Sequence, residues 1–300
     1  MTRSITTPQT GEPRDRLRAI GLMLTALVLF SALDATAKYL VQRQGVPVVE
    51  VVWLRFLGQI AYMVVLWKVL RLPALLATSQ PWAQLLRSTL MLATTAFNFL
   101  ALAHLRLDQT ITVVFLTPLT VALLAGPLLG EWVGWRRMVA ILTGFVGVVI
   151  AVWRGADAFD PAFLYSFGSM LAYAGFMLLT RAIAGNDPPF VTLFYSMLVG
   201  AVAMAPFAVH GWVAPPSLAS WLMLAALGAL GGTGHFLFIH AYRLAPASTI
   251  APFLYFQLIA MVSLGYVVFG DVPDLRTALG LTVVVGSGLY LFARERKLGK

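Results

Sequence analysis

The chain of 300 residues contains no cysteine. That excludes disulfides, thiolate catalysis and cysteine-ligated zinc or iron–sulfur sites. Charge is also scarce: Asp, Glu, Lys and Arg make up 11% of the residues against 60% hydrophobic ones, where a soluble domain carries about 25% charged residues. There are too few polar groups to cover a water-facing surface, so the sequence reads as an integral membrane protein. The four histidines include no pair at i, i+4 and no HExxH, so neither a metal nor a cofactor is expected. "GEWVGWRR" at 130–137 lacks the Gly-Lys-Ser/Thr ending of a phosphate-binding loop, and no ATP chemistry is implied. No Ser/His/Asp constellation is evident, which argues against an enzyme. A net charge of +9 would suggest nucleic acid in a soluble protein. Here the arginines sit between apolar runs and set topology instead, so no nucleic-acid partner is expected.

Apolar length is what the chain has in abundance. A helix needs about 20 apolar residues to cross the hydrocarbon. Breaks at Pro, Gly and charge clusters predict ten spans: 19–41, 47–70, 82–104, 107–130, 135–153, 161–183, 189–209, 217–240, 246–269 and 276–293. The fold class predicted is all-α, a polytopic membrane protein. Residues 1–18 read as a polar, disordered cytoplasmic tail, 19–153 and 154–293 as two five-helix units, and 294–300 as a basic cytoplasmic tail. The run 19–41 is too long for a signal segment and stays as the first span. With both termini cytoplasmic, fifteen of the 21 Lys and Arg fall at inner ends. Lys38, Arg43, Arg106, Arg154 and Arg276 fall outside, and Arg55 lies within a span. That bias predicts a multi-pass protein of the inner membrane with both ends in the cytoplasm.

The halves repeat. At a shift of 139 residues, Trp82 meets Trp221, Thr94 meets Thr233, Phe97 and Phe99 meet Phe236 and Phe238, and Gly126 meets Gly265. In all, ten identities fall in the 45 positions from 82 to 126. One inserted residue later, "GEW" at 130–132 meets "GDV" at 270–272. Because five spans per half is odd, the second unit would be inserted upside down. Inverted repeats of this kind build alternating-access carriers, whose substrate site lies near the midplane between the halves.

Four stretches carry a resemblance to a known family: "VVEVVWLRF" at 48–56, "LTPLTVALLAGPLLGEWVGWRR" at 116–137, "YRLAPASTIAPFLYFQLIAMVSLGYVVFGDVPD" at 242–274, and the final "ARERK". With them the chain resembles the drug/metabolite transporter superfamily, in its EamA-type ten-helix form, and most of all the bacterial amino-acid exporters, those for aromatic amino acids included. The resemblance implies spans 1, 3, 4, 6, 8 and 9 around a central cavity, with 5 and 10 peripheral. It also implies export of amino acids of broad specificity, so the partners expected are a small amino-acid substrate and the lipid bilayer. Efflux of cationic drugs or other small metabolites is the alternative. Two departures stand out: Pro118 is matched by Gln257 and Pro252 by Val113, and the acidic counterpart of Glu131 is Asp271.

The candidate site residues are the polar groups inside the spans, each needing a partner or a wet cavity. In "SALDATAKYL", Asp34 lies about 10 Å below the outer end of span 1, counting 1.5 Å per residue. Arg55 in span 2 sits at a similar depth, with Lys38 and Glu50 nearer the surface. Two readings follow: ion pairing of this quartet, with Glu50 and Arg55 as partners, or a cavity lined by Asp34 and Lys38 that binds substrate. Asn98 in span 3 and His235 in span 8 could hydrogen-bond substrate, and Tyr165, Tyr173, Tyr255 and Gln257 add polar atoms to aromatic walls. Pro118 and Pro252 interrupt spans 4 and 9, while Gly126, Gly231 and Gly232 permit close packing or hinge motion.

Overall fold

The computed structural model describes residues 13–67, 75–117, 119–121, 123–124, 134–152, 160–183, 187–244, 253–254 and 256–297. Its described residues form helices and no strand. Ten helices fall one to each predicted span: α1 Pro13–Gln42, α2 Val48–Trp67, α3 Pro81–His104, α4 Leu107–Val114, α5 Trp135–Val152, α6 Phe163–Ala182, α7 Pro189–His210, α8 Leu218–Leu244, α9 Phe256–Leu264 and α10 Leu275–Lys297. Six of them contain a stretch long and apolar enough to cross a membrane, within α1, α2, α3, α6, α7 and α8; α5, α9 and α10 carry shorter apolar stretches. α1 starts at Pro13, inside the segment expected to be a disordered tail. Proline loses nothing in a first turn, where its N–H would be unpaired, and Asp15 complements the helix dipole there. α10 runs through Lys297, so the stretch expected as a basic tail begins as helix.

Short turns gather at two ends of the bundle. At one, which we term the capped end, Gln42 Nε2 donates to the carbonyls of Leu102 and Ala103, Ser220 Oγ donates to Gln44 Oε1, and the Val213 amide donates to Glu50. At the other, the terminal end, the 76–80 segment meets the turn before α7: Thr78 and Ser79 donate to Asp187, and Tyr195 donates to the Leu76 carbonyl. Gly45 and Gly270 adopt φ of 68° and 73° in the capped-end turns, a left-handed conformation that costs a side-chain-bearing residue about 1–2 kcal/mol.

The helix pairings fall into matched sets. α1 packs on α8 and α6 on α3; α2 packs on α8 and α7 on α3; α1 packs on α9 and α6 on α4. The pairs α2–α7, α4–α9 and α5–α10 complete the pattern. Lipid tails are as apolar as leucine, so close fit rather than water exclusion holds such helices together. Glycine supplies the fit. A Cβ on Gly228 of α8 would collide with the backbone at Gly58 of α2, and one on Gly232 would come within 2.8 Å of the Tyr62 ring. Gly231 faces Leu33 and Gln59, and Gly234 faces Phe30. In α5 and α10, Gly147 and Gly280 sit against each other's carbonyls. Bare apolar side chains such as Val65, Trp82, Leu218 and Val267 line the exterior, as expected where lipid replaces water.

Candidate substrate site

Four helices bring polar groups together inside the bundle. Asp34 comes from α1, Arg55 from α2, Thr95 and Asn98 from α3, and His235 from α8. Asn98 Nδ2 donates to Asp34 Oδ1 at 3.0 Å, and Arg55 Nη1 donates to Thr95 Oγ1 at 2.8 Å. Thr95 and Asn98 are one turn apart on α3, so these two bonds lie side by side. Asp34 and Arg55 nevertheless form no ion pair. Asp34 Oδ2, Asn98 Oδ1 and Arg55 Nη2 have no partner among the described residues. Arg55 Nε is sealed and unpartnered. Arg55 is 5% exposed, whereas Asp34 and Asn98 keep part of their surface accessible deep in the helices. An anionic and a cationic group therefore stand next to each other without an ion pair.

Aromatic rings pack around these groups. The Arg55 guanidinium lies 5.0 Å from the Phe56 ring centre and 5.9 Å from that of Phe99. The His235 ring sits 4.9 Å from Phe30, one turn before Asp34 on α1, and its Nε2 is buried without a partner. Gly231 packs beside Arg55: a Cβ there would lie 3.8 Å from Nε and 3.2 Å from Leu33.

The expected quartet pairs differently. Lys38 Nζ donates to Asp271 at 2.8 Å and lies 4.3 Å from the centre of the Phe269 ring. Glu50 accepts from the Val213 amide at 2.6 Å, and Arg55 goes to Thr95. The reason lies in the turn after α9, where a π-helical turn, Gly265–Phe269, and left-handed Gly270 swing Asp271 over α1. Of the tyrosines, Tyr165 is 37% exposed near the start of α6. Tyr173 stacks on Phe176, ring centres 6.1 Å apart. Gln257 is half-buried near the start of α9, and Gly231 and Gly232 are buried against α1 and α2. Tyr255, Pro118, Gly126 and Pro252 lie outside the described residues.

Charge counting along the sequence placed Arg87 at an inner helix end, as a topology signal. It is 7% exposed on α3, donating to Thr180, Ser196 and the Thr192 carbonyl. Its position on one stripe with Gln84, Ser88, Thr95 and Asn98 was the available signal. Nearby, at the terminal end, partial burial pushes the Asp187 carboxyl up. Hydrogen bonds from Thr78, Gln84 and Ser79 outweigh this and hold it below its ordinary range.

Apolar helices that hold a few ionic groups without ion pairs inside the bundle, with no catalytic constellation among the described residues, fit a multi-pass membrane transporter. The chain belongs to the EamA-like transporter family, whose pattern it matches twice, over residues 17–153 and 160–293. It is 30% identical over 280 residues to an S-adenosylmethionine uptake transporter of Rickettsia bellii, covering 93% of this chain and 94% of that one. It is likewise 30% identical over 276 residues to a riboflavin transporter of Vibrio cholerae, covering 92% and 93%. A solved crystal structure has the same fold at a TM-score of 0.65 and 20% identity, over 94% of this chain and 99% of its own. These relatives are named for other solutes than the amino acids expected from the motifs, and that finer expectation gains no support from them.

Proposed function

We propose that this protein takes up S-adenosylmethionine or a closely similar metabolite, one that joins an α-amino acid to a ring system, across the inner membrane by alternating access. The observation that carries the reading is the adjacency of Asp34 and Arg55, each with a polar atom that has no partner among the described residues and with no mutual ion pair. Asp34 Oδ2 and Asn98 Oδ1 are acceptors for an ammonium group, while Arg55 Nη2 is a donor for a carboxylate. The rings of Phe30 and His235 offer faces to a sulfonium or a purine. The resemblance to a named S-adenosylmethionine transporter over nearly the whole chain supports the same choice. The matched helix pairings and the double family match support two inverted five-helix halves. The bias of Lys and Arg supports a cytoplasmic terminal end.

A second reading rests on the riboflavin relative. Riboflavin would use the aromatic walls but has no ammonium or carboxylate for Asp34 and Arg55. Counterflow in proteoliposomes separates the two, with labelled S-adenosylmethionine, riboflavin, methionine and a quaternary amine as solutes. Exchange of S-adenosylmethionine is expected, with Asp34→Asn and Arg55→Gln each weakening it about 10- to 100-fold. That is the loss of one charge-assisted hydrogen bond of about 1.5–3 kcal/mol. Riboflavin exchange untouched by either substitution would replace this reading with the second.

A further inference from the structure

One buried cation stands apart from that site. Arg87 lies eight residues from Thr95 along α3, a rise of about 12 Å toward the terminal end. Its Nε donates to Thr180 Oγ1 at 2.7 Å, and its Nη1 to Ser196 Oγ at 2.8 Å and to the Thr192 carbonyl at 3.3 Å. The guanidinium centre lies 4.4 Å from the centre of the Phe176 ring, on which Tyr173 stacks. All these partners are neutral. The ion pairs among the described residues, Asp15–Arg18, Lys38–Asp271 and Arg106–Asp108, do not include Arg87. Asp187 is the described acid nearest along this end, and it is taken up by Thr78, Ser79 and Gln84.

Burying a guanidinium without an anion is strongly unfavourable, and the group keeps its charge. Tying α3 to α6 and α7 would need only a neutral amide. Three acceptors instead fix the orientation of Arg87, 7% exposed, and leave Nη2 without a partner among the described residues. A fork held this way over an aromatic shelf is a preorganised anion site.

We propose that Arg87 is a second station for the substrate carboxylate, on the cytoplasmic side of the Asp34–Arg55 pair. This rests on the zwitterion reading of that pair. The carboxylate passes from Arg55 to Arg87 along the polar stripe of α3, and the ring system of the substrate meets the Phe176–Tyr173 shelf. Thr180 and Phe176 belong to the second half of the chain and Arg87 to the first. An anion there therefore sits between the halves at the end opposite Lys38–Asp271.

The test uses proteoliposomes of known orientation, with solute supplied at either face. Arg87→Gln should raise the KM for S-adenosylmethionine at least tenfold from the cytoplasmic face and less than twofold from the other. The decarboxylated analogue should move at an unchanged rate, and Arg87→Lys should recover part of the loss. Equal losses at both faces, or equal losses for the analogue, would make Arg87 a structural fastener and overturn the proposal. Should the wild type move no S-adenosylmethionine, the functional reading fails, and the station is tested by itself with acetate. Sodium acetate, against sodium chloride at equal ionic strength, should raise the Tm of the wild type in nanodiscs and leave Arg87→Gln unmoved. An identical response of the two proteins would refute the anion site.

Discussion

Breaking the Lys38–Asp271 pair tests how the two halves are held shut at the capped end. The partners come from α1 and from the turn after α9, 233 residues apart, with Nζ 2.8 Å from the carboxylate. Their side chains are 4% and 21% exposed. Removing one member of a fully buried pair costs about 3–5 kcal/mol. Because part of Asp271 meets solvent, about 2 kcal/mol is the fitting figure for Asp271→Asn. If the pair forms only when the capped end is closed, that loss raises the ratio of open to closed forms about 30-fold. Ala35, 5% exposed and between Asp34 and Lys38 on α1, is a suitable reporter. The chain has no cysteine of its own, so Ala35→Cys provides a single thiol. Its maleimide labelling from the external face should quicken by up to about 30-fold when Asp271→Asn is added. The exchange Lys38→Asp with Asp271→Lys should bring it back down. Unchanged labelling in folded, monodisperse Asp271→Asn, or no recovery on charge exchange, would show that the pair does not hold the capped end closed.

Two further outcomes follow from the packing and from the terminal-end turn. Gly228→Leu drives a side chain into the backbone of α2 at Gly58, and overpacking of this kind costs about 1–3 kcal/mol. Thermal unfolding in nanodiscs should occur at a clearly lower temperature, and an unaltered Tm would contradict the close α2–α8 contact. Asp187 has a folded pKa below its ordinary 3.8. Its contribution to stability is therefore complete above that ordinary value and is lost as pH falls through the depressed one. Asp187→Asn should lower stability by a constant amount through the neutral range and flatten the acid dependence below it. An acid unfolding curve with the same slope in both proteins would refute the assignment.

Much of the bundle was legible because a membrane helix must satisfy its backbone internally and needs a fixed apolar length. Runs bounded by Pro, Gly and charge therefore marked the ten helices given above for the described residues. The start of α1 was misjudged because polar composition outweighed the capping signals at Pro13 and Asp15. The site was legible in part. Asp34, Asn98 and His235 stand out as polar residues in apolar surroundings, and depth alone placed Arg55 beside Asp34. The partner of Lys38 was not legible. Glu50 is close in sequence, whereas Asp271 arrives through a π-helical turn and a left-handed glycine in the other half. Arg87 was missed for a different reason: near a helix end, an arginine reads as an orientation signal, and only the surrounding hydroxyls of Thr180 and Ser196 show that it points inward.

The glycine contact between α5 and α10 bears on how such a chain can change over time. Gly147 and Gly280 each occupy the spot where the other's carbonyl passes. A methyl acquired at either one has nowhere to go unless both backbones separate. Single-step drift at these positions is blocked, and a looser seam is reachable only by paired replacement along the two helices. The α5–α10 seam is thus, like the α2–α8 contact at Gly228, a part of the bundle with few mutational routes open to it.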